Sequence, residues 1–167
     1  MVVDTSRVYR DCTACQAASA QMATQAQALQ ARQQALTAEL RPEAQAIQAA
    51  VSALNGKEPD AALRQRAQAF QQRQEQANQE LGQAQQNLQS IQANVIRQIE
   101  ARFSPAVQQV MAQRGANLAV DVDATIAHAP AVNVTDAVLA AVNATLPSVS
   151  VTPLPQQPQP QTQPQGR

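Results

Sequence analysis

The chain is short of the residues from which broad cores and many binding sites are made. It has no Trp, one Tyr, two Phe and four Gly in 167 residues, so a large compact core of bulky side chains is excluded. Lys57 is the only lysine, and twelve basic residues balance twelve acidic ones. Without a basic stripe to meet a phosphate backbone, nucleic acid is excluded as a partner. No apolar run reaches the length of a membrane-spanning helix. The start, Met1-Val2-Val3-Asp4-Thr5, has neither a basic leader nor an apolar stretch, so no secretory leader is expected in the chain as written, and a secreted protein with this start would have lost one.

What fills the chain is alanine and glutamine, 35 and 31 residues respectively. Both favour helix, and they must bury their few large neighbours in narrow seams. Residues 1–4 read as the end of a strand. A helical stretch without glycine follows from about Thr5 to Leu54. The breaker Asn55-Gly56-Lys57-Glu58-Pro59-Asp60 forms a tip, with Gly56 suited to a helix C-cap and Asp60 to the next N-cap. A second helix runs back from Asp60 to Arg114 and stops at Gly115. Residues 115–146 should form a body. Leu118, Val120 and Val122 share a face of one strand by the two-residue period, Thr125 to His128 is a second candidate strand, and Thr135 can N-cap a short helix ending near Thr145. From Pro147 to Arg167, six of the ten prolines lie among Gln, Ser and Thr, which predicts a disordered tail that does not pack.

The two long stretches carry a heptad seam. Met22, Leu29 and Leu36 repeat by seven, with Leu40, Ile47 and Leu54 in the companion row; Leu63, Phe70 and Ile91 answer from the returning helix, with Leu81, Leu88 and Val95 beside them. Folding back at Gly56 sets Leu54 level with Leu63, Ile47 with Phe70, Leu36 with Leu81, Leu29 with Leu88 and Met22 with Val95. At 1.5 Å per residue, about 50 residues of helix project roughly 75 Å. This is an arm, an antiparallel coiled-coil hairpin. Pro42 predicts a kink near Glu39 to Pro42, and Ser104-Pro105 predicts that the second helix re-starts there. So small a β body rarely stands alone in water. Oligomerisation is the expected remedy, with Val2, Val3, Leu118, Val120, Val122 and Ile126 of several chains closing a shared barrel.

The run PAVQQVMAQRGANLAVDVD from Pro105 to Asp123, followed by NVTDAVL from Asn133 to Leu139, resembles the C-terminal signature of the OmpH/Skp family of periplasmic chaperones, and the opening VVDTSRV from Val2 to Val8 is similar to that family's first strand and helix start. The resemblance covers residues 2–146. It implies a homotrimer, mainly α, whose short-stranded intersubunit β-barrel carries three helical arms around a cavity. It further implies a periplasmic holdase that keeps unfolded outer-membrane proteins from aggregating without ATP. The family's best-known member has lysine-rich arms, whereas this chain has net charge zero, so no lipopolysaccharide site is carried over.

The remaining motifs point to no enzyme and no cofactor. Cys12-Thr13-Ala14-Cys15 is a lone C-x-x-C; small seam-filling residues are the favoured reading, a disulfide the second, and metal binding or thiol catalysis the third, since no further thiol or histidine cluster accompanies it. His128 reads as a surface or interface side chain, and Asp121 with Asp123 as a solvated strand face. The alternative to a holdase is a coiled-coil structural adaptor of the cell envelope without chaperone activity.

Overall fold

The computed structural model describes residues 1–154; the expected disorder of residues 155–167 lies outside the described part. Strand β1 (Val2–Val3) leads into α1 (Thr5–Asp11) and α2 (Thr13–Ala53); after the tip come α3 (Ala61–Arg114), β2 (Val120–Asp121) and α4 (Thr135–Thr145). The chain is mainly α with a small sheet, and two helices dominate it. By helical rise, α2 extends about 60 Å and α3 about 80 Å.

Local chemistry sets the ends of these helices. The Arg7 amide donates to Asp4 Oδ1 at 2.7 Å, and the Leu63 amide to Asp60 Oδ1 at 2.7 Å, so aspartate caps both α1 and α3. At the tip, Asn55 and Gly56 both take positive φ, 48° and 83°, which reverses the chain within a few residues. Gly115 ends α3 at φ 62°, with the Ala116 amide donating to the Met111 carbonyl at 2.9 Å.

One break falls elsewhere than the sequence pattern predicts: the re-start expected at Ser104-Pro105 does not occur. Helix α2 continues through Pro42 and α3 through Pro105, so neither proline ends or re-starts a helix. Pro42, Pro105 and the residues four earlier, Ala38 and Ala101, are all exposed; each carbonyl that loses its amide partner belongs to an exposed residue, which lowers the cost of the lost bond. The interruption lies instead at Cys12, whose ψ of 132° takes it out of the helix.

The core gathers where the hairpin's root meets α4. Val8, Val138 and Val142 are fully buried and Val110 nearly so, and Tyr9 and Phe103 pack with ring centroids 5.3 Å apart. Thr135 does not cap α4. It is the helix's first residue, and its buried hydroxyl accepts the Asp4 amide at 2.9 Å and donates to Asn133 Oδ1 at 2.7 Å. The body has less strand than the period suggested. Val2 and Val3 pair in parallel with Val120 and Asp121, and Val2 adds one bridge to Asn133. Val122 to Ala124 is a 3-10 turn, and Thr125 to His128 is not a strand. The Asp121 side chain explains the early end: it accepts the Asp123 amide at 2.9 Å and caps the turn that replaces the ladder.

Candidate functional site

The arm encloses no single pocket; it carries a series of shallow openings between α2 and α3. One of about 370 Å³ is lined by Leu29, Leu81, Leu88 and Ile91, with Arg32 and Glu80 at its edge. A second of about 290 Å³ lies between Leu36, Leu40, Phe70 and Leu81, and a third of about 230 Å³ between Met22, Val95, Ile96 and Tyr9. Leu29 thus faces the same space as Leu88, Leu36 as Leu81, and Met22 as Val95. Of the seam residues, Leu36, Ile91 and Val95 are buried, while Met22, Leu29, Leu40, Ile47, Leu54, Leu63, Phe70, Leu81 and Leu88 are half-buried. The reason is steric. Alanine and glutamine occupy the intervening positions, so the large side chains meet without closing the gaps beside them.

Arginine–carboxylate pairs tie the two arm helices. Arg32 donates to both oxygens of Glu80 at 2.6 and 3.0 Å, and Arg66 to both of Glu43 at 2.8 and 2.9 Å. These hydrogen bonds hold the carboxyls of Glu80 and Glu43 below the usual carboxylate range. Two-pronged geometry fixes the relative level of the helices more than it stabilises them, because Arg32, Glu80 and Arg66 are nearly half exposed and only Glu43, at 23%, is more covered. In the body, hydrogen bonds from Thr5 and from the Asp123 amide hold Asp121 low, so this carboxylate acts as a cap. Burial raises the Tyr9 hydroxyl, and Glu100 adds to it.

At the arm's root, Cys12 and Cys15 are disulfide-bonded, with Cα atoms 5.1 Å apart. This corrects the reading of the pair as simple seam fillers. Both sulfurs lie within the core, and Cys12 serves as C-cap of α1 and N-cap of α2 while the Thr13 amide donates to Asn143 Oδ1 on α4 at 3.0 Å. The bond therefore staples the break between two helices. Among the described residues no cluster of metal-ligating side chains exists.

The body leaves apolar side chains uncovered. Leu118 is 66% exposed, Ile126 fully exposed and Val132 41% exposed. Of the six residues assigned from sequence to a shared barrel, Val2 and Val3 are already buried within their own chain, Val120 and Val122 are half-buried, and only Leu118 and Ile126 stand free.

The family model described as "Outer membrane protein (OmpH-like)" matches residues 1–142. The chain belongs to the OmpH-like family. A crystal structure from Caulobacter crescentus, of a protein described as a candidate outer membrane chaperone (OmpH-like), superposes with a TM-score of 0.76 at 20% identity, covering 93% of this chain and 89% of that one. At that identity the likeness shows the fold alone. No curated protein matches the chain.

The family match ends before a feature that sequence reasoning missed. Residues 147–154, expected to be unpacked, run back along α3 of this OmpH-like chain. Val149 and Val151 pack against the core, and Leu154 is half-buried. The backbone of this strap is held by polar side chains of α3: Gln98 accepts the Ser150 amide and donates to its carbonyl, both at 3.0 Å, Asn94 donates to the Thr152 carbonyl at 3.0 Å, and Ser90 accepts the Leu154 amide at 2.9 Å. Two signals could have revealed it. Val149 and Val151 alternate with polar residues, and Ser90, Asn94 and Gln98 recur every four positions on one helix face.

Proposed function

We propose that this chain is an ATP-independent holdase of the periplasm, assembled as a homotrimer, which holds unfolded outer-membrane β-barrel proteins in the space between its helical arms. The observation that carries this reading is the arm itself: a hairpin projecting tens of ångströms, lined by shallow, half-open apolar gaps and few charges. Such a surface offers many weak contacts and no shaped pocket. A client confined among three arms stays held through effective concentration, although each contact releases readily. The uncovered Leu118, Ile126 and Val132 support assembly through the body, since a two-stranded sheet of two-residue strands needs further cover.

The test is dilution of a urea-unfolded outer-membrane β-barrel protein into buffer with and without the chain. Suppression of aggregation near one trimer per client is the expected result; absence of suppression, with the trimer intact, would favour a structural adaptor. Assembly is tested separately with Leu118→Asp and Ile126→Asp. Both residues are exposed in the single chain, so helicity should persist while sedimentation shows monomers. A trimer that survives both substitutions would place the contact elsewhere.

A further inference from the structure

We propose that the face of α3 bearing Ser90, Asn94 and Gln98 is a binding site for extended polypeptide with apolar side chains at alternate positions, and that residues Val149–Leu154 occupy it as a competitor carried within the chain. The source of the competing polypeptide, an unfolded client, rests on the holdase reading; the site itself does not.

The geometry argues for backbone recognition. Every hydrogen bond from α3 to the strap goes to main-chain atoms of Ser150, Thr152 or Leu154. The Ser150 and Thr152 hydroxyls instead bond each other at 2.9 Å. Gln98 presents a carbonyl oxygen and an N–H to one residue's N–H and carbonyl, as a neighbouring strand would. Up to Thr152 the spacing also fits: four helical residues rise about 6 Å, and two extended residues rise about 6.6 Å, so one turn of α3 separates the contacts to Ser150 and Thr152; the strap then bends at Thr152, and Ser90 takes the Leu154 amide beyond the bend. Val149 and Val151 fall on the intervening positions and enter the core side. Main-chain hydrogen bonds with pockets for alternate side chains are the chemistry by which a sheet edge takes a strand. Alternation is also what a segment of an unfolded transmembrane β-strand carries. Because the bonds ignore side-chain identity, the face can hold many such segments. Because the strap is already seated, a client must displace it.

The test uses the full chain and a labelled synthetic peptide, Ser-Val-Ser-Val-Thr-Pro-Leu, copying residues 148–154. Val149→Asp with Val151→Asp should release the strap and leave the α3 face intact. Fluorescence anisotropy should then show at least tenfold tighter peptide binding than to the unaltered chain, and adding Asn94→Ala with Gln98→Ala should abolish the gain. No gain on release, or a gain that survives loss of both amides, would overturn the proposal. A second measurement covers the case in which the released chain loses helicity. In the unaltered chain, saturating peptide should accelerate hydrogen exchange at the Ser150 and Leu154 amides, and unchanged exchange while peptide is bound would overturn it. The outcomes for site and function separate. Peptide binding as described with no suppression of client aggregation removes the holdase reading and keeps the site, whereas suppression with no peptide effect does the reverse.

Discussion

The root of the hairpin and its outer arm are made by the same two helices yet held in different ways. At the root, Val8, Val110, Val138 and Val142 interlock with almost no exposure, α1 and α4 add a layer, and a disulfide staples the helix break. Along the arm, most large side chains remain half-exposed beside gaps of a few hundred cubic ångströms, and solvated arginine–glutamate pairs supply much of the register. Packing density sets stiffness. The difference therefore assigns stability to the foot and compliance to the limb.

The sharpest way to break this contrast is to place one charge at each end. Val138→Asp puts an unpaired carboxylate where nothing is exposed and should cost on the order of 4 kcal/mol or more, unfolding the root. Leu29→Asp enters a gap open to water and should cost about 1 kcal/mol, roughly half the value of burying a leucine. Chemical denaturation of both variants measures the ratio. Equal losses would mean that the arm is packed as firmly as the root.

The disulfide gives a smaller and more local contrast. Cys12→Ser with Cys15→Ser opens a very short loop, for which the chain-entropy account gives about 2 kcal/mol. The loss should appear as a lower unfolding midpoint, reproduced by reductant, while hydrogen exchange along residues 61–80 stays unchanged. Faster exchange in the outer arm would show that the staple's influence travels along the helices.

How much could be read in advance follows the same division. The arm was legible because its rows repeat by seven over many turns, and because Asn55-Gly56 and Asp60 mark the reversal in residues whose chemistry permits little else. The root was less so. The helix re-start expected at Ser104-Pro105 did not occur, because length on both sides and exposure at Ala101 outweighed one missing hydrogen bond. The strand proposed from the alternation of Leu118, Val120 and Val122 shrank to Val120–Asp121, because the Asp121 carboxylate favoured its own turn over the ladder. The strap was not legible because six prolines dominate the composition of residues 147–167, whereas the packing is decided by Val149, Val151 and three polar side chains distant in sequence. Local pattern speaks for local structure; contacts between remote segments leave only faint periodicities.

The mildest test leaves the root untouched and loosens the arm by pH. Hydrogen bonds from Arg32 and Arg66 depress the carboxyls of Glu80 and Glu43 in the folded chain. Their contribution is therefore complete above the unfolded glutamate pKa of about 4.3 and disappears as pH falls through the depressed folded values. Both arginines and Glu80 are nearly half exposed and only Glu43 is more covered, so the effect on global unfolding should be small. It should be visible as extra hydrogen exchange between residues 29–47 and 63–84, once corrected for intrinsic rates, on descending through the acid range. Glu80→Gln should show the same loosening near Arg32 already at neutral pH, and raised salt should mimic it in part. If root amides loosen first in acid instead, the ion pairs are not what sets the arm's register.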